Sequence, residues 1–147
     1  MEIKELLDRR LETLEEICGE FGIAALYSFG SQAQMVKEWL EDGREEIPRG
    51  ASDIDIGVKG VPGKEWTVRE KVRLAGMLED DFDCLRVDLV VLKEADPFLA
   101  AEIIRGERLF VLDEREADEY ELYILRRAGD LDPLERERMA LVLGEPL

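Results

Sequence analysis

Apolar residues recur at helical spacing from the start of the chain. Ile3, Leu7, Leu11, Leu14, Cys18 and Phe21 fall four or three positions apart, the stripe of an amphipathic helix that should end near Gly22. Residues 23–29, "IAALYSF", form a mostly apolar run between glycines, which predicts a buried strand. Gly30 and Ser31 follow at once. "QAQMVKEWLED" then returns to helical character, and "GREEIPRGA", with Gly43, Pro48 and Gly50, is a loop. The next segment, "SDIDIGV", alternates like a strand: Ile54 and Ile56 enter the core while Asp53 and Asp55 project together from the other face. Like charges this close repel, so the pair is either bathed in water or used to hold a cation.

Further along, Thr67 and Glu70 have capping-box spacing, and Val68, Val72, Ala75, Leu78 and Phe82 mark one face of the helix they open. "CLRVDLVVL", residues 84–92, is an apolar strand interrupted by Arg86 and Asp88. Asp96 before Pro97 reads as an N-cap and first-turn proline opening a helix through Ile104, and "RLFVL" as a short strand. Two helices should close the chain, one started by Asp113 with Glu116 and the other by Asp132 with Pro133 and Glu135.

Composition narrows the class. A chain of 147 residues, 46% apolar, suits one domain over residues 1–147, with a core at 20–112 and closing helices at 113–143. The charged N-terminus lacks the pattern of a signal peptide, and no apolar run reaches the ~18 residues of a membrane span, so a soluble cytoplasmic protein is expected. Cys18 and Cys84 are isolated, as buried reduced thiols would be. The absence of histidine removes serine–histidine nucleophiles, histidine bases and the usual zinc sites, leaving only a hard, oxygen-bound metal. A net charge of −16 disfavours a nucleic-acid partner, whose binding needs clustered Lys and Arg.

Three motifs then carry chemistry. A glycine and a serine at a helix start present N–H groups and a hydroxyl to phosphate oxygens, with the helix dipole favouring the anion. Carboxylates at Asp53, Asp55 and Asp88 on adjoining strands can hold two Mg2+ ions about 3.5–4 Å apart, a clamp for in-line phosphoryl displacement. Taken singly, Gly30–Ser31 is more often a simple helix cap than a phosphate site, and Asp53 with Asp55 is equally the wet face of a half-exposed strand. A buried unpaired Asp88 is harder to explain away, because it is costly.

Together, "FGSQA", "SDIDIGV" and "VDLVVL" resemble the nucleotidyltransferases of the DNA polymerase beta superfamily, in particular the small minimal nucleotidyltransferases (MNT, MntA-like antitoxins). The resemblance implies an α+β (mixed α/β) fold with a small mixed β-sheet carrying the carboxylates, flanking helices and further C-terminal helices. It implies that Gly30 and Ser31 bind the phosphates of ATP or another nucleoside triphosphate. Asp53, Asp55 and Asp88 would hold the metals, with Asp88 near the acceptor hydroxyl. The gap from Ser31 to Asp53, 22 positions, is longer than the family's usual spacing, and Gln32 and Gln34 stand where basic residues are often found. Arg44, Arg49, Lys59 and Lys93 are the candidates to compensate.

Minimal nucleotidyltransferases are often antitoxins paired with a helical HEPN-type toxin, which some inactivate by transferring AMP to a tyrosine. The resemblance thus implies a protein hydroxyl as acceptor, and the acidic surface suits a basic protein partner. Two alternatives remain open at this stage. One is a catalytically idle fold that neutralises a partner by binding, with Tyr120, Tyr123 and Ile124 as its docking face. The other is transfer to a cationic small molecule.

Overall fold

The computed structural model describes residues 2–47 and 53–143, and side chains as far as residue 129. Helix α1 (Ile3–Phe21) leads into strand β1 (Ile23–Phe29), a single 3-10 turn (Gly30–Gln32) and helix α2 (Ala33–Glu41). Strand β2 (Ile54–Gly60), helix α3 (Val68–Phe82) and strand β3 (Val87–Val91) follow. A second 3-10 turn (Leu92–Glu94), helix α4 (Pro97–Ile104), strand β4 (Glu107–Val111) and helix α5 (Glu114–Leu143) complete the chain. The sheet order is β3-β2-β1-β4, with β1 antiparallel to both its neighbours and β2 parallel to β3. This is the mixed sheet expected of an α+β fold. Among the described residues no helix is long and apolar enough to cross a membrane.

Alternation along the strands gives the sheet two dry faces. Leu26, Ile54, Ile56 and Val58 meet α1, α2 and α3 in one core. Ala25, Tyr27 and Phe29 meet α4 and α5 in the other, through Ile103, Ile104 and Ile124. Gly57 allows that second contact, since a Cβ there would collide with Ile103.

Several elements differ from their sequence pattern. Helix α1 ends on Gly22 in the left-handed region (φ 67°), as expected, yet Ile3 and Leu11 of its stripe are exposed. Arg10 takes the inward position instead. Its guanidinium donates to the carbonyls of Trp39 (2.7 Å), Arg44 (2.6 Å) and Glu45 (2.9 Å) and lies 4.3 Å from the Trp39 ring centroid. Buried carbonyls need donors, and a guanidinium has five.

Thr67 and Glu70 form the capping box, but the buried face of α3 is Leu74, Leu78 and Phe82, while Val68 and Val72 are exposed. Both stripes share Leu78 and Phe82, so periodicity alone leaves the rotation open until α1 packs against the helix. Strand β3 begins at Val87, because residues 84–86 stay outside the ladder, and Cys84 is half-buried where burial was expected. Cys18 is buried, which pushes its thiol up to about 12.

The largest difference is at the C-terminus, where one helix replaces the expected two. Asp113 accepts from the Glu116 N–H at its start. Its backbone then stays helical through Asp132 and Pro133, losing one i→i−4 bond while turns on both sides propagate.

Candidate active site

Strand pairing assembles the acidic site at one end of the sheet. The Ile54 N–H donates to the Arg86 carbonyl (3.1 Å) where β2 and β3 begin to pair, and the parallel register sets Asp55 opposite Asp88. Neighbouring strands lie about 4.8 Å apart, so two carboxylates share one small patch of surface. Asp53 sits just before β2, outside the strand that was expected to hold it, and its side chain is 47% exposed. On the other side β1 pairs Phe29 with Asp55, which delivers Gly30 to the carboxylate.

The Gly30 turn is shaped around Asp55. Its φ is 75°, and a Cβ there would lie 2.6 Å from Asp55 Oδ2, so only glycine fits. Beneath it the buried Ser28 hydroxyl donates to the Ala33 carbonyl (2.9 Å), tying the turn to the helix it starts. No side chain caps either the 3-10 turn or α2. Ser31 is exposed and only accepts from Gln32 Nε2 (3.3 Å), so the plain-cap reading of Gly30–Ser31 does not hold. The Gln32 Oε1 is buried without a partner.

Burial is the largest cause raising the Asp55 carboxyl above the usual carboxylate range, followed by Asp88, Asp53 and Glu102 of α4. The row is partly neutralised by Arg86, whose Nε stands 3.1 Å from Asp88 and 3.6 Å from Asp53. Asp88 is therefore neither fully buried nor unpaired. Among the described residues no three acidic side chains converge closely enough, as they stand, to hold one metal ion. Their chemistry still suits one: oxygen donors only, a like-charged row in need of a cation, and an open cradle at Gly30.

The structure brings Gly30, Asp53, Asp55 and Asp88 together, with Ser31 at the rim. It does not bring the expected compensating cations there. Arg44 pairs with Glu38 (3.2 Å), Lys93 with Glu65 (3.3 Å), and Lys59 lies at the far end of β2. Arg49 lies outside the described residues. The basic group at the carboxylates is Arg86, which the sequence shows only as an interruption in an apolar strand. Glu102 was equally invisible, since only packing of α4 brings its charge within range of Asp55.

The sequence matches the family described as polymerase beta, nucleotidyltransferase, over residues 12–115. The chain belongs to that family. This nucleotidyltransferase has no match among the curated proteins. Among solved structures it resembles a toxin-antitoxin with AMP-PNP, at 18% identity, over 90% of this chain and 98% of that chain, with a TM-score of 0.68. It also resembles a chain of the tri-AMPylated Shewanella oneidensis HEPN toxin in complex with MNT antitoxin, at 16% identity. That likeness covers 93% of this chain and 98% of the other, with a TM-score of 0.65. A toxin-antitoxin MntA-HepT structure gives 16% identity, 92% and 98% coverage and a TM-score of 0.65. At such identities these likenesses speak for the fold.

Proposed function

We propose that this nucleotidyltransferase moves AMP from ATP to a protein hydroxyl in a Mg2+-dependent reaction, as the antitoxin of a helical HEPN-type toxin. The observation that carries the reading is the Asp55–Asp88 pair in register beside an uncapped glycine turn. Free N–H groups of the turn and the Ser31 hydroxyl bind phosphate oxygens, and the start of α2 favours their charge. Asp53, Asp55 and Asp88 would hold the metal, which when bound offsets charge developing on the phosphates. Asp88 accepts the proton of the acceptor hydroxyl. The hydroxyl oxygen bonds to the α-phosphorus, the bond from that phosphorus to the β-bridging oxygen breaks, and pyrophosphate leaves.

The acceptor assignment is supported by the toxin-antitoxin complexes that share the fold, one with an AMPylated toxin, and by a net charge of −16 that attracts a basic protein. Intact-mass analysis of a purified HEPN-type toxin incubated with the protein, ATP and Mg2+ tests it. The expected result is the mass of AMP added to the toxin, absent with Asp53→Ala/Asp55→Ala. A toxin that gains no mass overturns the transfer. One observation favours a second reading, neutralisation by binding alone: Arg86 lies across Asp53 and Asp88. In that case the double variant would silence the toxin as well as the parent does, with no ATP present.

A further inference from the structure

A cavity of about 330 Å3 opens at the opposite end of β2 from the carboxylates. It lies between the ends of β2 and β3, the start of α4 and the middle of α5. Lys59 is four residues beyond Asp55 on the same face, roughly 13 Å away at strand rise. Ile103 packs onto Gly57 between them, so this cavity is separate from the acidic site.

Its lining inverts the charge of the molecule. In a chain of net charge −16, four basic side chains, Lys59, Lys64, Lys93 and Arg127, border one cavity whose walls are otherwise apolar and aromatic. Lys64 and Lys93 already face acids, Glu70 at 3.7 Å and Glu65 at 3.3 Å. Lys59 and Arg127 pair with no carboxylate among the described residues. They stand instead over tyrosine rings, Lys59 Nζ 4.9 Å from the Tyr120 centroid and Arg127 Cζ 5.9 Å from that of Tyr123. The two rings tilt toward each other at 6.4 Å. Lys59 is a half-buried cation without an anion, poorly compensated because a ring face answers only part of its charge, and the exposed Arg127 stands at the rim beside it.

From this we infer a second ligand site, for a small organic anion with a planar apolar body. The body lies against Tyr120, Tyr123 and the aliphatic wall, and the anionic group meets Lys59 and Arg127. The volume is at the lower end of the roughly 300–1,000 Å3 usual for ligand pockets. Neither half of such a ligand suffices: the bare anion forgoes burial and the neutral ring leaves the cations unanswered.

Calorimetric titration of the full chain with 1-naphthyl phosphate, 1-naphthol and inorganic phosphate tests the site. The aryl phosphate should bind at least about tenfold more tightly than either fragment, and Arg127→Gln should weaken it by about tenfold, the size of one lost charge-assisted bond. Lys59→Gln should act the same way. Arg127 is exposed on α5, so its variant keeps the test sound if the strand variant folds poorly. Asp53→Ala/Asp55→Ala should bind the aryl phosphate as the parent does. Absence of binding at millimolar probe, indifference to Arg127→Gln, or loss in the double aspartate variant would overturn the assignment.

Discussion

Gly30 and Asp55 constrain one another at atomic range, and this makes the glycine the most sensitive single residue of the site. Gly30→Ala places a methyl against the Asp55 carboxylate in a left-handed backbone, at a conformational cost of about 1–2 kcal/mol. Urea denaturation should show that loss, and ATP titration a weaker or absent complex. Arg86 is the opposite case, a cation whose removal should help. Arg86→Gln leaves Asp53 and Asp88 free, and Mn2+ binding followed by electron paramagnetic resonance should tighten about threefold, the worth of an exposed ion pair. Unchanged or weaker Mn2+ binding would show that Arg86 does not compete.

Away from the site, Asp81 is half-buried with its Oδ2 enclosed and unpartnered, and desolvation outweighs the attraction of Arg10 to push its carboxyl up to about 6. The native form therefore keeps a proton that the unfolded chain releases near pH 4. Its contribution to stability is present below pH 4 and is lost as pH rises toward 6. Asp81→Asn should raise the melting temperature at pH 7.5 and change it little at pH 4. A lower melting temperature at pH 7.5 would mean that the Arg10 attraction prevails.

At the scale of elements, the two stripes of α3 make separate predictions. Leu74→Ala should cost about 2–5 kcal/mol as a core truncation, whereas Val72→Ala should stay within about 0.5 kcal/mol as a surface change. Chemical denaturation of both variants distinguishes the observed rotation from the one the spacing Val68–Val72–Ala75 implied. This pair also shows what was legible. Existence and type of the elements follow from period and capping residues, as with Thr67–Glu70 and Asp96–Pro97. Rotation of a helix is set by where its neighbours stand, and that is not a local property. Asp132–Pro133 carries helix-start chemistry in any context, so the sequence had no means of showing a helix already running through it. The site divides in the same way. Asp55, Asp88 and Gly30 were legible as strand carboxylates and a glycine closing an apolar run, whereas Asp53 falls just before the strand that alternation assigned it to. Arg86 and Glu102 were not legible, because the strand register and the docking of α4 bring them in.

Across the whole molecule, the sheet separates two chemistries. An acidic end, where Gly30 meets Asp55 with Asp88 paired beside it, has the oxygen donors that suit a hard cation; a basic, aromatic cavity lies at the other end of the same strand. The overall charge of −16 points association toward basic partners and should make it weaken with salt. The central claim, a working metal–nucleotide site at Gly30, Ser31 and the aspartates, is tested most directly by calorimetric titration of ATP into the protein with and without Mg2+, alongside Asp53→Ala/Asp55→Ala. Binding should need Mg2+ and disappear in the double variant. ATP binding that survives the double variant, or no binding in the parent with Mg2+ present, would contradict it.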